Sequence, residues 1–356
     1  MQKLRGALSQ IQGRFETAQR SPFDDGWTPE EQAEAAVKTI VTEERARTII
    51  ARNDSPDVPF EQSINPYRGC EHGCIYCYAR PSHAYLELSP GLDFETRLFA
   101  KTNAVELLKD ELSAPGYRVK PLAFGTNTDC YQPVERRYGI MRGLIEVLAE
   151  CEHPLTIVTK SALIERDIDL LAPMARKNLV KAFVSVTTMD AALARKLEPR
   201  AASPRRRIDA IRALAGAGIP TGVLAAPQIP GLTDKTLEHV LEEAAAAGAT
   251  MAGWILLRLP NEVRPLFKEW LATHHPQRAD HVISLIKQSR GGRENDPDFH
   301  SRMSGSGNFV ALIGQRFELA CRKLGLNRED THMAPRGGLD CARFRPPRNS
   351  GQLGLF

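Results

Sequence analysis

The stretch that decides the fold is Asn65-Pro66-Tyr67-Arg68-Gly69-Cys70-Glu71-His72-Gly73-Cys74-Ile75-Tyr76-Cys77-Tyr78. Three of the seven cysteines fall within it, at spacings of four and three. Gly69 and Gly73 supply the backbone freedom to curl the loop so that three thiolates face one centre. Cys130, Cys151, Cys321 and Cys341 are scattered. A secreted disulfide framework would spread paired cysteines through a small domain. One tight cluster in a long chain reads instead as a metal site in a reducing compartment. Structural zinc wants four closed ligands; His72, His83 or a distant cysteine could be the fourth, but no second C-x-x-C pair completes a four-thiolate site. A cubane iron–sulfur cluster usually takes four cysteines. With three, one iron keeps an open position, which is a catalytic arrangement.

The surrounding chain has a globular composition: 356 residues, 25% charged and 42% hydrophobic. No apolar run approaches the ~20 residues of a membrane helix. The start, MQKLRGALSQ, lacks the apolar stretch of a signal peptide. A cytoplasmic protein without membrane insertion is expected. The net charge is only +4, but residues 289–356 carry 11 Lys and Arg against 7 Asp and Glu, so the C-terminal fifth holds the whole excess.

Working outward, residues 63–259 alternate between two patterns. Apolar, β-rich runs occur at 122–125, 155–159, 182–187, 221–226 and 251–257. Amphipathic helical stretches lie at 139–151, 164–176, 206–217 and 234–248. Gly218 and Gly248 sit where left-handed helix caps are wanted. With an earlier strand at 62–67, six strand–helix units result, which implies parallel strands and right-handed crossovers. A full eight-unit barrel typically needs ~250 residues. The expected fold is therefore α/β, a partial (β/α)6 TIM-type barrel with N- and C-terminal extensions. Its expected parts are an extension (1–60), the core barrel (61–272), a C-terminal helical segment (273–330) and a basic extended tail (331–356). Thr28-Pro29-Glu30-Glu31 has helix-start chemistry, residues 37–50 fit either two short strands or a helix, 287–299 reads as a charged loop, and 309–324 as an amphipathic helix. The cysteine loop follows the first strand, at the barrel mouth where active sites form.

C-x3-C-x2-C with an aromatic before the last cysteine resembles the signature of the radical S-adenosylmethionine (SAM) superfamily. The longer run SINPYRGCEHGCIYCYARPSH is similar to its spore photoproduct lyase-like branch, over roughly residues 60–270. The resemblance implies a [4Fe–4S] cluster on Cys70, Cys74 and Cys77, its open iron chelated by SAM. The reduced cluster would cleave SAM to a 5′-deoxyadenosyl radical that abstracts hydrogen from substrate. It also implies an electron donor such as a flavodoxin or ferredoxin.

The same resemblance suggests roles for other positions, each with a plainer structural reading beside it. Tyr76 would lie near the adenine, or simply pack the loop. Tyr78 would help relay hydrogen atoms, or be a barrel-wall tyrosine. Thr128 and Asp129, in Gly125-Thr-Asn-Thr-Asp129, would meet the SAM amino group, or form an Asx-type turn. Cys130 would be a hydrogen donor, or a small buried thiol. Lys160 would hold the SAM carboxylate, or be a solvated lysine at a loop start. Ser185 would reach the ribose, or be an ordinary strand residue, and Glu198 with Arg200 would bind SAM or substrate, or form a salt bridge in a turn. The backbone at Ala225 would take the adenine edge.

The run Gln352-Leu353-Gly354-Leu355-Phe356 resembles the pentapeptide with which bacterial replication and repair proteins dock on the DNA sliding clamp, with Gly354 in place of the usual Ser or Asp. Leu355 and Phe356 would fill an apolar pocket and Gln352 would hydrogen-bond beside it. The expected substrate is nucleic acid, DNA or RNA, in the form of a lesion repaired as the photoproduct lyases repair theirs. A peptide or small metabolite is the alternative for the same barrel, and a zinc-stabilised nucleic-acid-binding module without catalysis is the rival from another class.

Overall fold

Pro66 decides where the first barrel strand ends. It has no N–H for a sheet ladder and restrains the residue before it. In the computed structural model, which describes residues 5–16, 38–328 and 338–347, the segment expected as one strand at 62–67 is two. β1 (Ile40–Glu44), β2 (Ile50–Arg52) and β3 (Gln62–Ile64) precede the proline, and β4 (Tyr67–Arg68) follows it into a different sheet. The remaining strands are β5 (Arg97–Lys101), β6 (Leu122–Phe124), β7 (Leu155–Thr159), β8 (Val180–Ser185), β9 (Thr221–Gln228) and β10 (Met251–Leu256).

The large sheet runs β10-β9-β8-β7-β6-β3-β2. Its six strands from β3 to β10 are all parallel, and only β2 joins antiparallel. This is the partial six-unit barrel. Register brings Ile64 beside Phe124, Phe124 beside Ile157 and Ile157 beside Ala182, all fully buried. Strands of this kind are covered on both faces, which is why they read as continuous apolar runs. Residues 37–50, open between strand and helix on periodicity, contribute two strands: β2 extends the barrel sheet, and β1 pairs with β5, which also carries β4.

Amphipathic helices Ile140–Glu150, Ile168–Arg176, Pro204–Gly216 and Leu237–Ala246 connect the strands. The stretch expected at 164–176 starts as a 3-10 turn, Ala162–Asp167, capped by Ser161, before becoming α-helical. Gly218 and Gly248 both follow helix ends at positive φ. Helix Asn308–Leu324 packs on Leu237–Ala246, where Arg316 grips Glu238 at 2.6 Å. Residues 338–347 lie against the amino-terminal ends of β7 and β8: Arg345 N donates to Cys151 O (2.9 Å), Asp340 N to Asn178 O (3.0 Å), and Phe344 packs on Tyr117 and His153. The helix start at Thr28 and the pentapeptide 352–356 fall outside the described residues.

Two fully buried histidines tie the layers. His83 Nε2 meets Arg97 O at 2.9 Å, and His153 lies between Tyr117 Oη (2.8 Å) and Pro154 O (2.9 Å). Burial lowers both from 6.5 to about 4, against the opposing pull of their carbonyl partners. Protons therefore bind the unfolded chain first as pH falls. The stability from these neutral imidazoles is complete above pH 6.5 and is lost on the way down to about 4, on the order of 3 kcal/mol each at most. Urea midpoints should fall steeply over that window, and a flat profile would contradict neutral burial.

Candidate metal and cofactor site

The cysteine loop leaves the carboxyl end of β3, and its shape is fixed from several sides. Gly69 (φ 72°) and Gly73 (φ 68°) are left-handed. Neither has room for a side chain: a Cβ on Gly69 would sit 2.7 Å from Leu98 Cδ2, and one on Gly73 2.7 Å from Glu95 Oε2. Cys70 N donates to Phe94 O (2.9 Å), Ile75 N to Leu197 O (3.0 Å) and Cys77 N to Cys74 O (3.1 Å). Gln132, fully buried, brackets the loop by donating to Gly69 O (3.0 Å) and accepting from Glu71 N (2.8 Å). Arg80, also fully buried, donates to Cys74 O (2.9 Å), Gly91 O (3.0 Å) and Glu95 Oε1 (2.5 Å).

The three thiols are electrostatic neighbours. Burial drives Cys70 far above the usual thiol range, with Asp129 and the other two cysteines adding to the rise. Burial likewise raises Cys74, against Lys160. A metal cation bound beside such thiols would draw off their protons. Among the described residues, no three His, Cys, Asp or Glu side chains converge as ligands of one ion would. His72 Nδ1 is turned to Asp129 Oδ2 (3.3 Å), and His83 Nε2 to Arg97 O. Neither histidine is therefore turned toward the three thiols as a fourth zinc ligand would be.

The other expected site residues come to the carboxyl ends of the parallel strands, but their polar atoms are differently engaged. Asp129 accepts from Tyr131 N (2.9 Å), Thr159 Oγ1 (2.7 Å), Lys160 N (2.7 Å) and His72. Those four contacts fill a carboxylate's acceptor sites. Burial would raise its pKa, yet His72 and the Lys160 and Thr159 donors hold it well below the ordinary range. Asp129 thus acts as a clamp between β6, β7 and the cysteine loop. Thr128 Oγ1 donates to Tyr67 O (2.9 Å), so it too is inside the scaffold. Asn65 Oδ1, accepting from Asn127 N (2.9 Å), holds the same turn.

Tyr76 is buried, its hydroxyl bonded to Glu198 and 3.1 Å from Thr187 Oγ1. Glu198 faces inward as well: it accepts from Thr187 Oγ1 (2.7 Å) and pairs with Arg207. Arg207, 1% exposed, also donates to Ser185 O (3.0 Å) and Ala202 O (2.8 Å). Arg200 pairs with Glu71 of the cysteine loop. Ser185 and Ala225 are buried, and Ala225 O accepts from Gln228 Nε2 (2.6 Å). Cys130 is completely buried in the main core, and burial, with Asp129 and Glu135 nearby, raises its thiol far up. That is the placement of a small packing residue rather than of an exposed hydrogen donor.

Two expected residues do present groups at the mouth. Lys160 Nζ lies 5.9 Å from the Tyr76 ring centroid and its charge reaches Cys74. Tyr78 is 48% exposed, with its hydroxyl on Thr126 O and the Arg258 guanidinium 5.7 Å from its ring. Arg258 itself gave no signal in the sequence. It follows β10, its Nε is buried without a partner, and among the described residues no carboxylate lies within ion-pair reach. Gln132, Arg80, Glu95 and Arg207 were equally silent, because a buried polar side chain is written with the same letter as a solvated one. Arg207 in particular hides within Arg205-Arg206-Arg207, a run that looks like a basic surface.

A parallel barrel carrying a three-cysteine loop at the carboxyl end of its first strand is the architecture of radical SAM enzymes. Residues 64–244 match the Radical SAM superfamily, and the chain belongs to it. Membership implies SAM and an iron–sulfur cluster as cofactors. The Mycobacterium tuberculosis protein Rv2578c is 39% identical over 279 residues, 75% of this chain and 82% of that one. The Radical SAM Nalpha-GlyT isomerase of Pseudomonas phage M6 is 29% identical over 193 residues, 53% of this chain and 38% of the phage protein. In fold, the chain is similar to spore photoproduct lyase complexed with dinucleoside spore photoproduct, at TM-score 0.57 and 17% identity, with 80% of each chain covered. No helix among the described residues is long and apolar enough to cross a membrane.

Proposed function

We propose that Cys70, Cys74 and Cys77 hold a [4Fe–4S] cluster with SAM at its open iron, and that the enzyme acts on nucleic acid, in a lyase-like repair of a lesion. The observation that carries the cofactor reading is the three-thiol loop leaving the carboxyl end of β3, with Lys160 Nζ 5.9 Å from the ring centroid of Tyr76 in that loop. Cluster and SAM together supply hydrogen-atom abstraction when bound. The chain's own residues orient and shield them. Lys160 offers a cation to the SAM carboxylate, while Tyr76, fixed by Glu198 and Thr187, forms the wall beside it. Lys160→Met is expected to weaken SAM binding roughly 10- to 100-fold, the value of one lost charged hydrogen bond, with iron content unchanged. Equilibrium dialysis with SAM checks this; unaltered affinity would remove Lys160 from the site.

For the substrate, the mouth offers Arg258 as a desolvated cation, with Asp57 attracting it only from a distance among the described residues, and Tyr78 as an exposed ring. A phosphate for the first and a base for the second match that pair. The fold likeness to a lyase in complex with a dinucleoside lesion points the same way. Residues 338–347 are anchored at the amino-terminal ends of β7 and β8, the end of the barrel away from the cysteine loop. Docking on a DNA sliding clamp through Gln352, Leu353, Leu355 and Phe356 belongs to the same reading and is supported by the sequence of that run alone. The deciding experiment is binding of undamaged and ultraviolet-irradiated DNA over a salt series. Affinity that falls log-linearly with salt, together with irradiated DNA raising 5′-deoxyadenosine output, supports the reading. No affinity at low salt sinks it, and stimulation by a peptide instead would favour the alternative.

A further inference from the structure

The segment 5–16 lies directly on the cysteine loop. Gly6 N and Ala7 N donate to the two oxygens of Glu95, at 2.8 and 2.7 Å. The same carboxylate accepts from Arg80, and Arg80 holds the carbonyl of Cys74. Two buried side chains, Glu95 and Arg80, therefore link this segment to the middle cysteine. The contact is close: a Cβ on Gly6 would come within 1.7 Å of Gly73 O, between the first two cysteines. Ala7 is buried in one apolar cluster with Cys74, Ile75 and Tyr76. Arg5 adds a second link, donating to Glu95 O (3.0 Å) and to Thr39 Oγ1 (2.9 Å), which in turn donates to Glu71 of the loop (2.7 Å). Further along, Ser9 bonds Glu269 (2.6 Å) and Arg14 bonds Glu262 (2.7 Å), both at helix Val263–His274. The segment is thus pinned at both ends, to the loop and to the helix after the last barrel strand.

We propose that residues 5–16 form a positioning strap: they hold Cys74 in register with Cys70 and Cys77, and they keep water and small oxidants from reaching the bound cluster past Gly73. This rests on the cluster reading above. Two features set the strap apart from an ordinary terminal contact. It is tied to Cys74 through a fully buried ion pair rather than a surface one. It also meets the loop at a glycine on both sides, Gly6 and Gly73, so the backbones touch with no side chain between them.

The test uses the full chain after anaerobic loading with iron and sulfide. Gly6→Val should force the strap off Gly73, and Arg5→Ala should loosen its outer link without adding bulk. Iron per chain, loss of visible absorbance in air and the EPR line shape of the reduced cluster are followed, with the melting temperature of the iron-free protein measured alongside. Gly6→Val is expected to bind iron on the order of 10-fold more weakly, the scale of a lost outer-shell support, to lose its cluster faster in air and to show an altered EPR line shape; it should also melt lower when iron-free, because buried Glu95 loses two donors. Arg5→Ala should move the lifetime the same way by less, with an iron-free melting temperature close to the parent's. Cluster lifetimes and spectra equal to the parent's in both variants overturn the strap. If Gly6→Val does not fold, Arg5→Ala alone decides by the same criterion. A parent chain that takes up no iron would overturn the cluster reading instead.

Discussion

Cys74→Ala is expected to abolish the visible chromophore and all SAM cleavage while the barrel stays folded. The loss should exceed the ~10–100-fold typical when only an outer-shell support is removed, because a ligand is gone. Cys74 lies under Ala7 and Tyr76 in the smaller apolar cluster. Removing one sulfur from it should cost about 1 kcal/mol of stability. The two effects separate cleanly: iron content collapses while the melting temperature barely moves. Cys130→Ala provides the contrast. Its thiol sits in the main core, away from any open surface, so the variant should keep its cluster and its SAM cleavage. A Cys74→Ala protein that still binds iron at the parent's level would mean that the loop is not the ligand set.

Arg207→Ala should produce the largest change in stability. Arg207 and Glu198 are 1% and 0% exposed, so bulk water does not reach the pair. Deleting it strands a buried carboxylate and leaves Ser185 O and Ala202 O without their donors. Breaking a buried pair in this way costs about 3–5 kcal/mol, or roughly 10 °C in melting temperature for a chain of this size. Because Glu198 also fixes the Tyr76 hydroxyl, SAM affinity should fall in whatever protein remains folded. Replacing both partners with apolar residues should recover much of the stability but not the SAM affinity. If Arg207→Ala melts within a degree or two of the parent, the pair does not hold the mouth together.

The barrel was legible because parallel strands covered on both faces must be apolar runs, and the helices between them must carry one apolar stripe. Both patterns survive in a single sequence. The cysteine loop was legible because three thiols at fixed spacing have few other uses. What stayed hidden follows from the same physics. Pro66 splits a segment whose apolar pattern is continuous, so one expected strand became β3 and β4. β1 and β2 are short and half exposed, and they exist because other strands offer them edges, which no local pattern reports. Asp129, after β6, and Glu198, in the connection after β8, carry the right chemistry on the carboxyl side of the strands, but whether a carboxylate faces a cofactor or a protein donor depends on its neighbours in space. His72, Lys160 N and Thr159 claim the first, and Arg207, Tyr76 and Thr187 claim the second. The strap was unreadable for a related reason. Its glycine at position 6 and the acid at position 95 are ordinary letters until the fold brings them together.

The most direct measurement is 5′-deoxyadenosine formation by the anaerobically reconstituted full chain with SAM and a strong reductant, read alongside EPR. The expected result is a brown, oxygen-sensitive protein whose reduced-cluster spectrum changes when SAM is added and which releases 5′-deoxyadenosine, with all three lost in Cys74→Ala. A colourless, air-stable protein that holds zinc and releases no 5′-deoxyadenosine would contradict it.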